Sequence, residues 1–121
     1  MLKFLKGRLL GAKYALAGAW FLIRTEASIQ VQTTCAVAVI IAGFYYDISS
    51  TEWMIQTLAI ALVLAAEGLN TAIEAIADYI QPNHDKKIGI IKDVAAGAVT
   101  FAAVSALAIA CWIYFPKLGL C

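Results

Sequence analysis

Three carboxylates follow directly on an uninterrupted apolar run. The stretch AAEGLNTAIEAIADYIQP covers residues 65–82 and contains Glu67, Glu74 and Asp78 but no basic residue. A carboxylate near the centre of a bilayer costs roughly 2.5–3.5 kcal/mol even on the more lenient insertion scale. We therefore expect these acids to have a function that compensates for this free energy.

The spacing of the acids predicts one polar face on a helix. At 100° per residue, four residues fall within an arc of about 80° and extend over ~16 Å; this acidic stripe consists of Glu67, Asn70, Glu74 and Asp78. Its charges could be neutralised by a metal ion, by a Lys or Arg side chain, or by shared protons. Oxygen ligands of this kind suit a hard ion such as Mg²⁺, bound together with phosphate oxygens. The alternative is a solvated helix end or a polar seam between helices, without chemistry.

A second polar pair follows Pro82 and would lie beside the acidic stripe. Two antiparallel helices joined at Pro82 would bring Lys92 and Asp93 to the same end of the protein, and Glu26 would enter from the first membrane helix. Phosphoryl transfer needs metal ions and a Lys or Arg on the phosphates, and a base for the attacking hydroxyl. These parts are present, but the sequence has no Walker A loop. A nucleotide site here must therefore differ from those of P-loop enzymes and protein kinases.

The composition indicates an integral membrane protein with a single domain, residues 1–121. Hydrophobic residues make up 63% of the chain and charged residues only 14%, whereas about 45–50% apolar residues are usual in soluble domains. The formal net charge is +1, so bulk electrostatics predict no nucleic-acid partner.

The hydrophobic pattern predicts an all-α membrane protein with an N-terminal amphipathic surface helix and three transmembrane helices. Apolar residues recur at three- and four-residue steps over residues 1–25, as in a helix that lies in the membrane interface. A transmembrane helix needs about 20 apolar residues, and the three membrane helices are expected at residues 29–46, 52–80 and 88–115. For the second of these, Ser49 and Glu52 have the spacing of a capping box.

Basic residues predict the orientation of the protein in the membrane. Eight of the nine lie before the first span or between the second and third, which the positive-inside rule places in the cytoplasm: Lys3, Lys6, Arg8, Lys13, Arg24, Lys86, Lys87 and Lys92. The acidic stripe lies toward the same side. We therefore expect a multi-pass membrane protein with its active site facing the cytoplasm.

Two sequence blocks resemble a known family. The stretch EGLNTAIEAIAD, from Glu67 to Asp78, closely resembles the signature of the small bacterial membrane diacylglycerol kinases, a family that includes the undecaprenol kinases. KDVAAGAV, from Lys92 to Val99, resembles their second block, and KYALAG resembles the amphipathic N-terminal segment. Chain length and the order of the three spans agree, so the resemblance covers nearly the whole chain.

The resemblance implies a homotrimer in the bacterial inner membrane, with active sites shared between neighbouring subunits. Such an enzyme moves the γ-phosphoryl group of MgATP to a lipid alcohol. By motif position, Glu67 resembles the general base at the lipid hydroxyl, and Glu26 and Glu74 resemble the carboxylates that bind the metal ion. Asn70 resembles a polar residue that lies between these carboxylates and has a positioning role.

Further residues match nucleotide and lipid contacts of the family. Lys92 and Asp93 match the pair that contacts the nucleotide, and other positions align with additional nucleotide contacts: Tyr14, Asp78, Asn83, His84 and Asp85. The small residues of the third membrane helix predict close helix packing, and we expect Ala96 among them also to leave room for the lipid. The chain departs from the family pattern at Gly68, where a larger aliphatic residue is usual, and in EASIQ, which lacks the basic residues that many members have.

Two other classes of protein remain open at this point. A small proton-coupled exporter would use an intramembrane Glu to carry protons, and a non-catalytic membrane subunit would use the polar face only for packing. The sequence also does not choose between diacylglycerol and undecaprenol as the lipid, although NTAIEA and KDVAAGAV favour the undecaprenol kinases.

Overall fold

The computed structural model describes residues 1–120, and their regular structure is entirely helical. The all-α architecture expected from the sequence is confirmed. The helices are α1 (Leu2–Thr25), α2 (Ala27–Tyr45), α3 (Ser50–Ile80), α4 (Lys86–Tyr114) and a single 3₁₀ turn at Pro116–Leu118.

Three of these helices are long and apolar enough to cross a membrane. The candidate spans are Ala27–Tyr45, Ser50–Ile80 and Lys86–Leu118. At 1.5 Å per residue, the 31 residues of α3 extend over roughly 46 Å, which exceeds a hydrocarbon core of about 30 Å. One end of α3 must therefore project beyond the lipid chains.

The start of α3 is fixed by the capping box that the sequence predicts. The Glu52 backbone N–H donates to Ser49 Oγ at 3.1 Å, and the Ser49 N–H donates to Glu52 Oε1 at 3.2 Å. Lys117, in the 3₁₀ turn after α4, adds an ion pair to the Glu52 carboxylate at 3.3 Å. We call this end of the bundle the far end, and the opposite end, where α3 leads into α4, the Pro82 end.

At the far end, α2 and α3 pack so closely that only glycine fits at position 43. A Cβ atom on Gly43 would lie 2.7 Å from Cη2 of Trp53 and 3.1 Å from Cδ1 of Ile48. The turn between the two helices includes Asp47, whose φ of 50° is in the left-handed region. The Trp53 ring thus lies directly on the backbone of α2.

A buried polar group ties the three membrane helices together near the far end. Gln56 of α3 is 4% exposed, and its Nε2 donates to the Val39 carbonyl of α2 at 3.2 Å. The Tyr114 hydroxyl of α4 lies 2.6 Å from Gln56 Oε1 and 2.9 Å from the Val39 oxygen. Because each buried polar group has a partner, this cluster does not incur the desolvation penalty of an unpaired one.

Elsewhere the bundle has a sparse interior and an apolar exterior. Half of the buried hydrophobic residues are alanines, including Ala77 of α3 and Ala95 and Ala102 of α4, whereas large side chains such as Phe101 and Leu58 are exposed. This distribution fits helices that pack through small residues while lipid covers their outer faces. None of the residues of α1 is buried, and its place at the membrane surface remains a prediction.

We expect Gly43→Ala to destabilise the bundle, because the new methyl group must displace the Trp53 ring, and overpacking of this kind costs about 1–3 kcal/mol. The control is Gly18→Ala in α1, where a Cβ meets nothing within 4 Å and helix propensity alone favours alanine. Thermal unfolding in detergent should show a lower midpoint for Gly43→Ala and no decrease for Gly18→Ala. A midpoint for Gly43→Ala at or above the wild-type value would contradict this packing.

Candidate functional site

The acidic stripe lies on α3 with a gradient of burial along the helix. Glu67 is 7% exposed, Asn70 is half-buried, and Glu74 and Asp78 are exposed. No hydrogen bond or ion pair to the Glu67 carboxylate is formed within residues 1–120. The stripe therefore begins with a buried, unpaired acid and ends with acids open to solvent.

Asn70 connects the buried and exposed parts of the stripe. Its Nδ2 donates to Glu74 Oε1 at 3.2 Å, across one turn of α3. Its Oδ1 is buried and accepts no hydrogen bond within the described residues. A buried carbonyl oxygen without a partner is uncommon in proteins, and here it leaves an acceptor available beside Glu67 and Glu74.

Glu26 lies at the break between α1 and α2, where the backbone is extended with φ −98° and ψ 116°. Its main chain is fully used: the N–H donates to the Leu22 carbonyl, and its carbonyl accepts from the Gln30 N–H. Its half-buried side chain makes no capping bond, so the carboxylate is available for other contacts.

The contact between α1 and α3 brings this break close to Glu67. Cδ1 of Leu22 lies 3.2 Å from the position of a Cβ on Gly68, and Leu22 precedes Glu26 by one helical turn. The larger aliphatic residue that is usual at position 68 in the resembled family would push Leu22 away. Gly68 therefore allows the end of α1 to approach the turn of α3 that holds Glu67.

Lys92 of α4 forms an ion pair with Asp78 of α3 at the Pro82 end. The sequence predicts that Lys92 and Asp93 lie beside the acidic stripe. In the structure, Lys92 contacts the stripe through its ion pair with Asp78. The side chains are 35% and 61% exposed, so solvent reaches both, and the contribution of such a pair to stability is small. Asp93 is exposed on the same helix.

The connection between α3 and α4 holds the remaining polar candidates. Asp85 caps α4, because its Oδ1 accepts from the Lys87 N–H at 2.9 Å and from the Ile88 N–H at 3.1 Å. Asn83 and His84 are exposed beside it. The resemblance places Asp85 among the nucleotide contacts. In the structure Asp85 is the N-cap of α4, a position at which Asp is one of the preferred residues.

Two further candidates lie on exposed helix surfaces. Tyr14, in the middle of α1, is 66% exposed, and Ala96 lies on an exposed side of α4.

The donor set at this site suits a hard divalent cation supplied with phosphate oxygens. Within residues 1–120, no group of three or more His, Cys, Asp and Glu side chains forms a metal site by itself. The carboxylates that the sequence predicts as ligands are those of Glu26 and Glu74. Mg²⁺ is commonly bound by one or two carboxylates together with waters and substrate phosphates, so two carboxylates fit this kind of ion.

Three proteins are similar to this chain along most of its length. The undecaprenol kinase of Bacillus subtilis (strain 168) is 42% identical over 105 residues, which cover 87% of this chain and 85% of that protein. The diacylglycerol kinase of Synechocystis sp. is 32% identical over 111 residues, covering 91% of this chain and 63% of that protein. The diacylglycerol kinase of Escherichia coli (strain K12) is 26% identical over 104 residues, covering 86% and 83%.

A family described as prokaryotic diacylglycerol kinase matches residues 13–114. The matched range includes Tyr14, Glu26, the whole acidic stripe, and Lys92 with Asp93. The resemblance noted in the sequence is thus confirmed: the chain belongs to the prokaryotic diacylglycerol kinase family.

Proposed function

We propose that this membrane lipid kinase transfers the γ-phosphoryl group of MgATP to the hydroxyl group of a lipid alcohol, undecaprenol or diacylglycerol, at the cytoplasmic face of the bacterial inner membrane. The observation that carries the proposal is Glu67, a 7% exposed carboxylate at the point where the apolar part of α3 meets the acidic stripe. Family membership supports the reaction class.

Glu67 acts as the general base. The lipid hydroxyl gives its proton to the Glu67 carboxylate while its oxygen bonds to the γ-phosphorus, and the bond from that phosphorus to the β–γ bridging oxygen of ATP breaks. The Glu67 carboxylate makes no hydrogen bond within residues 1–120, so it is free to accept the proton. A positioned base of this kind typically contributes about 10²–10⁴-fold to the rate.

Glu26 and Glu74 hold Mg²⁺, and Asn70 positions Glu74. The hydrogen bond from Asn70 Nδ2 fixes one oxygen of Glu74 and leaves its other oxygen for the metal ion. Glu26 lies in extended backbone at the break between α1 and α2, and its side chain makes no capping bond. When bound by these carboxylates, Mg²⁺ would neutralise the phosphate charge that develops during transfer.

The nucleotide is bound at the Pro82 end. Lys92, kept near the stripe by Asp78, neutralises phosphate charge, and Asp93 lies next to it. Asn83 and His84 are exposed for contacts with the nucleotide, whereas Asp85 contributes by capping α4 and shaping this connection. Tyr14 and Ala96 approach the site in the homotrimer, where Tyr14 contacts the nucleotide and Ala96 the lipid.

Undecaprenol is the preferred lipid. The Bacillus subtilis protein named undecaprenol kinase is 42% identical to this chain, whereas the Escherichia coli protein named diacylglycerol kinase is 26% identical over a similar length. Membership of a kinase family also argues against the two alternatives left open by the sequence, a proton-coupled exporter and a non-catalytic subunit.

We expect Glu67→Gln to lower kcat by about 10²–10⁴-fold, because glutamine cannot accept the hydroxyl proton. The measurement is transfer of radiolabelled γ-phosphate to lipid in detergent with Mg²⁺, with oligomeric state followed by size-exclusion chromatography. Glu52→Gln, the same change on the same helix at the far end, should retain wild-type turnover. Wild-type activity in Glu67→Gln would remove Glu67 as the base.

We expect Glu74→Gln to raise the Mg²⁺ concentration needed for half-maximal rate by about tenfold or more, since loss of a group that orients or ligates a metal commonly weakens binding by about 10–100-fold. Initial rates against Mg²⁺ at constant ATP measure this value, with Glu52→Gln as the unaffected control. An unchanged Mg²⁺ requirement would show that Glu74 is not a ligand.

We expect the wild-type enzyme to phosphorylate undecaprenol with a higher kcat/KM than diacylglycerol. Both lipids should be assayed side by side in mixed micelles at equal mole fraction, so that the ratio depends on the enzyme and not on lipid dispersion. A ratio that favours diacylglycerol would reverse the assignment of the lipid but leave the kinase reaction in place.

A further inference from the structure

An apolar groove of about 250 Å³ is lined by all three membrane helices. Small side chains in its walls leave space between the helices, among them Ala36 of α2, Ala59 of α3, and Ala103 and Ala106 of α4. Val63 and Leu64 of α3 also line it, and its polar lining residues are Gln32 and Gln56. The groove lies within the spans, and its lining makes it suitable for a hydrocarbon chain.

One end of the groove leads to Glu67. Val63 and Leu64 precede Glu67 by about one helical turn, and at 100° per residue Glu67 falls between them on the same face of α3. Glu67 is also 7% exposed and has no hydrogen-bond partner within the described residues. A side chain that is 7% exposed, and whose carboxylate has no partner within the described residues, therefore lies one turn of α3 beyond the lining residues of the apolar groove.

The other end of the groove reaches the polar cluster that ties the helices together. Gln56 and Val39 both line the groove, and the Tyr114 hydroxyl lies 2.6 Å from Gln56 Oε1. Gln56 is 4% exposed, so these hydrogen bonds are inside the bundle. From Gln56 to Glu67 the rise along α3 is roughly 16 Å.

We propose that this groove holds the part of the lipid alcohol's hydrocarbon chain next to the hydroxyl group, and that Gln56 and Tyr114 form its end stop. The inference rests on the proposed function, because it places the reacting hydroxyl at Glu67. A rise of roughly 16 Å accommodates about a dozen chain carbons, equal to roughly three isoprene units. The remainder of a longer chain leaves the groove sideways into the bilayer.

Selectivity in this groove comes from packing and shape, not from the hydrophobic effect. The bilayer is as apolar as the groove wall, so moving a chain between them gains no hydrophobic free energy. A hydrocarbon chain shorter than the groove leaves atoms of the groove wall without contacts, and chain carbons beyond the end stop make no further contact with the wall. The kcat/KM of the enzyme should therefore rise with the length of the hydrocarbon chain and then level off.

The test measures kcat/KM against chain length for two series of alcohols in the same detergent: prenols of about two to six isoprene units and 1-monoacylglycerols of about six to eighteen acyl carbons, both chosen to bracket the length of the groove. The series that the wild-type enzyme phosphorylates is then used for the variants. We expect a plateau at about three isoprene units or about a dozen carbons.

Two variants should move this plateau in opposite directions. Ala59→Leu fills the groove next to the end stop, so the plateau should shift to shorter chains, with a loss of about threefold or more for full-length chains and none for the shortest alcohol. Gln56→Ala removes the end stop while the Tyr114 hydroxyl keeps the Val39 carbonyl as acceptor, so the plateau should shift to longer chains. Ala38→Leu, an exposed position of α2, is the matched control and should match the wild type.

The outcomes of these assays distinguish a failure of the groove inference from a failure of the proposed function. Active variants with an unchanged chain-length profile would overturn the end stop but leave the kinase function standing. A uniform loss for every chain length in Ala59→Leu, together with dissociation of the oligomer, would show that a second copy of this chain fills the groove, and would also overturn the inference. No phosphorylation of either series, nor of undecaprenol or diacylglycerol, by the wild-type enzyme would overturn the proposed function itself.

Discussion

Burial of the Glu67 side chain is the constraint on which the rest of the site depends. Glu67 is 7% exposed, and we propose that it lies near the boundary of the lipid core, because the penalty for a charged side chain is largest at the centre. Glu74 and Asp78 follow on the same face with increasing exposure. One helix thus leads from apolar surroundings to solvent, which is the environment that a reaction between a lipid and a soluble nucleotide requires.

Different interactions hold the helices together at the two ends of the bundle. At the far end, the capping box, the Trp53 ring on Gly43 and the buried Gln56–Tyr114 hydrogen bond fix the helices closely. At the Pro82 end, α3 and α4 are joined by the Lys92–Asp78 ion pair, and exposed pairs contribute only about 0–1 kcal/mol. The polar contacts between helices are therefore largely buried at the far end and exposed at the Pro82 end, where we propose that the nucleotide binds.

Local signals allowed the sequence to predict much of this arrangement. Ser49 with Glu52 and the position of Pro82 defined the limits of α3, and spacing alone identified the acidic stripe. The Gln56–Tyr114 hydrogen bond could not be predicted, because it joins residues 58 apart in the chain and neither stands out in an apolar helix. The contact of Leu22 with Gly68 was missed for the same reason, whereas the cap made by Asp85 had a readable local signal.

The ligand set of the proposed site has a consequence for the order in which its parts assemble. Glu26 and Glu74 supply two carboxylates, and within residues 1–120 no third His, Cys, Asp or Glu completes a metal site. Two carboxylates are a weak site for Mg²⁺ alone but a common one when phosphate oxygens complete the coordination. In the proposed site, the metal ion would therefore arrive with the nucleotide. The two carboxylates, which would repel free phosphate, would attract the metal–nucleotide complex.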